Sequence, residues 1–343
     1  MSYTNYSLLL FYLVLNQYDQ AFTQEINKTK FPIEQSLIAK PIKVPSIIYA
    51  KMPGFVITGK YLLLLRSFNE PLFSVFELAD CNYMGDFGRL GRGPNEFGKP
   101  DSRNAIATSK GFVIYDVEKG LLFIDLKESI LNKYPHIIRT IKLPGELFML
   151  NDIIMLNDCT IVGFPYVDKS NKPYVRYNFK TNEIEYFGKY PAIYSKSKKE
   201  HFWPIFWRHS VTKPDGKKFA SFFDAVKMFR IYDEFGNLEN ETIIEIQDLF
   251  QGQARKSNII TYYHTVKATN QFIYALCLDV RTNKLLDYRP TLEIWDWNGN
   301  PVAAYTLDRD IFTFDITDDN KYIYCMDRQT IDKIFVYYLD INP

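Results

Sequence analysis

Apolar and polar positions fall into a pattern that recurs six times along the chain. In each copy a small polar turn runs into a short apolar, aromatic-rich stretch, beginning at Tyr61, Phe112, Thr160, Phe219, Phe272 and Tyr322. A second apolar stretch follows each of these, at 75–78, 123–126, 175–178, 231–233, 294–296 and 336–339, often beside an acid. In two copies it continues into an Asp-x-x-Gly-Asn segment, 233–237 and 296–300, and then into a further apolar run. Such a segment between apolar runs predicts a hairpin turn, because Asp caps its own backbone and Gly or Asn accepts positive φ. One more short run precedes each anchor, at 54–57, 104–107, 152–155, 209–212, 264–267 and 314–317. Each repeat therefore reads as four strands.

A supersecondary unit repeated at roughly 50 residues belongs to propellers and solenoids. Four strands per unit and six units predict an all-β, six-bladed β-propeller with four antiparallel strands per blade. The last repeat stops after its third strand, at Leu339, so the segment 37–44 is free to supply the missing strand and close the ring from the N-terminal side. Closure removes the exposed edges that otherwise template aggregation. The predicted organisation is an N-terminal segment, 1–32, and a propeller, 33–343. Two stretches, 126–136 and 190–206, are expected to be long connections. Next to the second lies an aromatic cluster, 201–207, in which Trp203 and Trp207 are candidates for stacking on a sugar or peptide, the alternative being packing against their own blade.

Composition sharpens this picture. Aromatic residues make up 16% of the 343, with 25 Tyr and 27 Phe, a content suited to pleated, half-buried surfaces. Forty-one basic against forty acidic residues leave a net charge of +1, so no global field favours a phosphate backbone and nucleic acid is not an expected partner. The basic run at 196–199 reads as a solvated loop. Cys81, Cys159, Cys277 and Cys325 lack any C-x-x-C spacing and read as buried thiols. The apolar run 8–15 is far shorter than the roughly 20 residues that cross a bilayer as a helix, so no transmembrane span is expected. It fits either a degraded export signal, although no Lys or Arg precedes it, or an ordinary strand or helix.

In a propeller, equivalent positions on the innermost strands converge on a central channel. Aligning the repeats places Pro53, Asn104, Asp152, His209, His264 and Phe314 at one such level. Two of only four histidines thus fall on adjacent blades, beside an acid and an amide. Asn104, Asp152, His209 and His264 are therefore channel or ligand candidates. Imidazole and carboxylate are ligands for first-row metals, so Asp152, His209 and His264 form a candidate divalent-metal set that could activate water for hydrolysis or lyase chemistry. The alternatives are hydrogen bonding to neighbouring blades or a metal-free ligand pocket. No cofactor is predicted beyond that possible divalent metal. No Gly-x-Ser-x-Gly elbow occurs, which argues against a serine hydrolase of that class.

Residues 88–97, Gly-Arg-Leu-Gly-Arg-Gly-Pro-Asn-Glu-Phe, follow the first repeat. This stretch resembles the signature of bacterial six-bladed β-propeller families related to TolB-like and NHL-repeat proteins, whose functions are largely unassigned. The resemblance implies the propeller fold and an exported protein, in the periplasm or at the cell surface. No cysteine precedes Cys81, unlike the lipoprotein pattern of many such proteins. The glycines themselves read as turns between blades with Phe97 packing beneath, and Arg89 and Arg92 as partners of Glu96 or Asp101. The motif is not a phosphate loop, because no Lys-Ser/Thr follows and Pro94 succeeds the last of its glycines. The leading functional expectation is a non-catalytic exported propeller that binds a protein, glycan or small-molecule ligand through its channel face. The alternative is a metal-dependent lactonase- or esterase-like hydrolase, or a lyase, at the same channel.

Overall fold

Leu62, Leu63, Leu64 and Leu65 form an unbroken apolar run with no exposed surface, although a strand with one wet face alternates apolar and polar positions. In the computed structural model the reason is that every blade is sandwiched between two others. Leu62 and Leu64 point into one inter-blade layer with Phe55, Tyr324 and Ile334. Leu63 and Leu65 point into the next, with Phe73, Phe112 and Ile114. The structure describes residues 22–25, 30–44, 54–66, 70–101, 105–165, 171–191, 206–245, 259–281, 284, 288–327, 330 and 333–341.

The six repeats are six antiparallel sheets. Ordered from the axis outward, blade 1 is Gly54–Thr58, Tyr61–Leu65, Phe73–Glu77 and Tyr83–Phe87, and blade 2 is Ile106–Thr108, Gly111–Asp116, Gly120–Asp125 and His136–Ile141. Blade 3 is Asn151–Asn157, Thr160–Phe164, Tyr174–Asn178 and Glu183–Phe187, and blade 4 is Arg208–Thr212, Lys218–Phe223, Lys227–Asp233 and Leu238–Glu245. Blade 5 is Ile260–Ala268, Phe272–Arg281, Thr291–Asp296 and Pro301–Leu307, and blade 6 is Ile311–Ile316, Tyr322–Asp327 and Lys333–Tyr338. The fourth strand of blade 6 is Lys40–Lys43, which pairs antiparallel with 333–336, so the ring is closed from the N-terminal side as the sequence predicts.

The N-terminal stretch does more than close the ring. Ile33–Leu37 adds a fifth strand, parallel to the outer strand of blade 5, and Phe22–Glu25 does the same on blade 4. Neither alternates strongly enough to announce itself in the sequence. The connection 126–136 also differs from expectation, because 126–132 is helical. Asp125 caps that helix by accepting from Glu128 N at 3.0 Å, Leu126 and Ser129 are buried beneath it, and Lys133 ends it in the left-handed conformation.

The apolar core is radial, one layer in each gap between blades. Aromatic residues fill these wedges because a ring covers much area on a flat sheet. Phe73 lies 5.0–5.2 Å from Phe87, Phe97 and Phe112, and Trp295 packs 4.7 Å from Phe229. The two Asp-x-x-Gly-Asn turns form with matching geometry. Asp233 Oδ1 accepts from the amides of Phe235 and Asn237 at 2.9 and 2.8 Å, and Asp296 Oδ1 accepts from those of Asn298 and Asn300 at the same distances. All four cysteines are free thiols; Cys81, Cys277 and Cys325 are buried and Cys159 partly so.

Candidate functional site

An innermost strand has a partner on one side only, so its other edge turns unpaired amides and carbonyls toward the axis. Neighbouring blades satisfy several of these groups with side chains. Asp152 Oδ1 on blade 3 accepts from Ser210 N on blade 4 at 2.8 Å. Asp315 Oδ2 on blade 6 accepts from Ile57 N on blade 1 at 2.8 Å. Thr58 Oγ1 donates to the carbonyls of Thr108 and Gly111, 2.9 Å each, and Thr265 Oγ1 to that of Phe312 at 2.9 Å. Lys267 on blade 5 bridges the closing joint, donating to Phe55 O at 2.9 Å and lying 3.5 Å from Asp315.

Around the axis these strands leave a cavity of about 640 Å³, a size typical of small-molecule sites. Its wall is asymmetric. Blades 1 and 2 contribute small or apolar groups such as Gly54, Val56, Ala105 and Ala107, whereas blades 3 to 6 contribute Asp152, His209, His264, Lys267 and Asp315. The rings of His209 and His264 meet edge to face, 5.6 Å apart at 62°. Burial holds the carboxyl of Asp152 above the usual carboxylate range, opposed by its bonds from Ser210 and by the charge of Arg208. Burial raises Asp315 likewise, against the pull of Lys267 and the amides of Ile57 and Ile316. Asp152 also adopts a left-handed backbone, φ +51°, at an irregularity in its strand, a conformation uncommon for residues other than glycine.

Asp152, His209 and His264 line one channel. Asn104, Pro53 and Trp203 lie outside the described residues, as does most of the connection 190–206. Trp207 is described and half-buried; it does not line the channel, and its carbonyl accepts from Asp224 N at 2.9 Å where the chain enters blade 4. Phe314 is a correction. It is buried between blades 5 and 6, and Asp315 takes the channel position, because an irregularity in the strand between Ile311 and Thr313 shifts the inward face. Asp315 and Lys267 are channel residues that the alignment missed, as are Asp158, Lys213 and Asp318. An acid and a lysine in the same columns of adjacent repeats, at 315 and 267, were the available signal. Among the described residues no group of three His, Cys, Asp or Glu side chains is arranged to hold a metal ion.

The glycine-rich stretch 88–97 is built as architecture. Gly88 has φ +90°, and a Cβ there would stand 2.7 Å from the ring of Phe73. Glu96 turns inward to accept from Gly93 N at 2.8 Å, and Phe97 is fully buried. The fully buried carboxylate of Asp116 accepts from the amides of Gly98, Lys99, Glu118 and Lys119 at 2.7–3.2 Å, anchoring the stretch to blade 2. Arg89 and Arg92 are exposed and form no ion pair with Glu96 or Asp101, contrary to the sequence expectation, because Glu96 is committed to the loop's interior.

Ring and channel together define a six-bladed β-propeller. No protein-family model matches the chain, and no curated protein matches it by sequence. Among solved structures it is similar to a member of the DUF4221 family from Bacteroides vulgatus, with a TM-score of 0.64 at 9% identity over 90% of this chain and 98% of that one. A more distant likeness is to the WD40 repeats of RRP9, with a TM-score of 0.48 at 8% identity over 83% of this chain and 79% of that one. At such identity the likeness is one of fold. No helix among the described residues is long and apolar enough to cross a membrane.

Proposed function

We propose that this propeller is a non-catalytic binding protein that takes its ligand in the central channel. The observation that carries the reading is the cavity of about 640 Å³ with one small-residue wall and one polar wall. Such mixed lining, with a few oriented polar groups, is what fixes a ligand's pose. Binding is favoured over metal-assisted catalysis because no group of three His, Cys, Asp or Glu side chains among the described residues is arranged to hold a metal ion. Export to the periplasm or cell surface belongs to the same reading, supported by the apolar run 8–15 and by the resemblance of 88–97 to TolB-like and NHL-repeat propellers. Mass spectrometry of the mature N-terminus in fractionated cells tests it; an intact Met1 in the cytosolic fraction contradicts export.

The channel is tested by thermal shift across sugars, amines, organic acids and peptides. Ala107 is exposed within the channel, so Ala107→Trp plugs it with little cost to packing. A ligand that raises Tm in the native protein but not in Ala107→Trp supports channel binding. A shift that survives the plug places binding elsewhere, and saturable turnover of an ester or lactone contradicts the non-catalytic reading.

A further inference from the structure

Resting on the channel-binding reading, the class of ligand follows from where the wall's charges lie and which of them are already paired. Both lysines of the wall are engaged. Lys213 Nζ lies 2.8 Å from Asp215, and Lys267 Nζ lies 2.9 Å from Phe55 O and 3.5 Å from Asp315. The carboxylates outnumber them. Besides Asp315 the cavity is lined by Asp152, Asp158 and Asp318, none of which forms an ion pair with a lysine or arginine among the described residues. Asp158 and Asp318 are exposed. Arg208, whose charge reaches Asp152, does not line the cavity; it is buried 4.2 and 4.0 Å from the rings of Phe164 and Tyr174 and donates to Pro173 O. The wall thus holds a surplus of negative charge, and a concave site lined by one sign of charge concentrates ligands of the other.

The placement of the acids sets the ligand's length. Asp152 stands at the start of the innermost strand of blade 3, Asn151–Asn157, and Asp158 just past its end. Every residue between them lines the cavity, so the space runs along the whole strand, at most about 20 Å at roughly 3.3 Å per residue. Asp318 follows the innermost strand of blade 6, Ile311–Ile316, and therefore lies at the same end as Asp158, on the blade opposite in a ring of six. Blades 1 and 2, which join the two on one side, bring no charged side chain to the wall; Gly54, Val56, Ala105 and Ala107 stand there instead. We infer that the channel takes a linear aliphatic polyamine lying along its axis, one terminal ammonium at Asp152, the other at the mouth with Asp158 and Asp318, and its methylene chain against blades 1 and 2. Charge-assisted hydrogen bonds at both ends and removal of the methylenes from water supply the two components of such binding. A monoamine reaches only one of the two sets of acids.

Isothermal titration with spermidine and spermine tests this, with butylamine, maltose and citrate as comparators, on the native protein, on Asp152→Asn, on the double variant Asp158→Asn/Asp318→Asn and on Ala107→Trp. Circular dichroism confirms that each variant is folded. The expected result is one-to-one binding of spermidine or spermine, weakened about tenfold by Asp152→Asn and about tenfold by the double variant, as for the loss of a charge-assisted hydrogen bond, and abolished by Ala107→Trp. Added salt should weaken it further, and butylamine should bind at least tenfold more weakly. Should Asp152→Asn unfold, the double variant, whose positions are exposed, carries the test. Polyamine binding indifferent to the acid substitutions, or surviving Ala107→Trp, overturns the assignment, as does butylamine binding as tightly as spermidine. Channel-dependent binding of maltose or citrate, with no amine bound, overturns it too and leaves channel binding standing. Absence of channel-dependent binding across the panel overturns the polyamine assignment, and its absence across the thermal-shift library overturns the binding reading as well.

Discussion

Asp224, in the turn between the second and third strands of blade 4, has a buried carboxylate oxygen with no hydrogen-bond partner, and burial pushes its carboxyl up to about 7. The folded state therefore holds that proton more tightly than the unfolded chain, whose aspartates titrate near 4. Stability from this group is complete below about pH 4 and is lost as pH rises through about 7. Asp224→Asn should accordingly melt above the native protein at pH 8, by up to about 4 kcal/mol, and approach it at pH 4. A variant less stable than native at pH 8 contradicts the buried-acid account. The Lys267–Asp315 pair calls for a different test. Lys267→Met strands a buried carboxylate and the carbonyl of Phe55, so it should cost about 1–3 kcal/mol. Adding Asp315→Asn should recover part of that loss in a double-mutant cycle read by urea denaturation; strict additivity would show the pair uncoupled.

Strand Lys40–Lys43 is the element on which closure depends. It completes blade 6, and Ile42 on it packs toward the layer between blades 6 and 1. Removing residues 1–44 should leave the outer edge of blade 6 open and give an aggregating protein of much lower Tm, whereas removing residues 1–29 should spare the ring. Equal melting of the two truncations, followed by light scattering, would contradict this role. The second strand of each blade was legible to within a residue, because two buried faces make it a continuous apolar run with a turn before it. The added strands at 22–25 and 33–37 were not, because FTQE and IEQSL are short and mostly polar, too brief to show an alternation. The helix 126–132 was missed for a related reason. At seven residues it carries too few turns to show a period, and only its cap at Asp125 marks it.

At the scale of the whole molecule, repetition made the ring readable. Six copies average out local errors in boundary, and the missing fourth strand of the last copy pointed to its donor. The channel was readable only in part, because a single irregularity in a strand turns its side chains to the other face. His209 and His264 line the channel, while at blade 6 the shift hid Asp315 behind Phe314. The glycine-rich stretch 88–97 drew attention as a motif, yet its hydrogen bonds serve blades 1 and 2 and the loop itself, so function is sought on the axis instead. Hydrogen exchange read by mass spectrometry, with and without a ligand that raises the melting temperature, tests that placement most directly. The account predicts added protection in the inner strands, Asn151–Asn157, Arg208–Thr212 and Ile260–Ala268, with the outer strands unchanged. Protection confined to the outer strands or to the stretch 88–97 would contradict it.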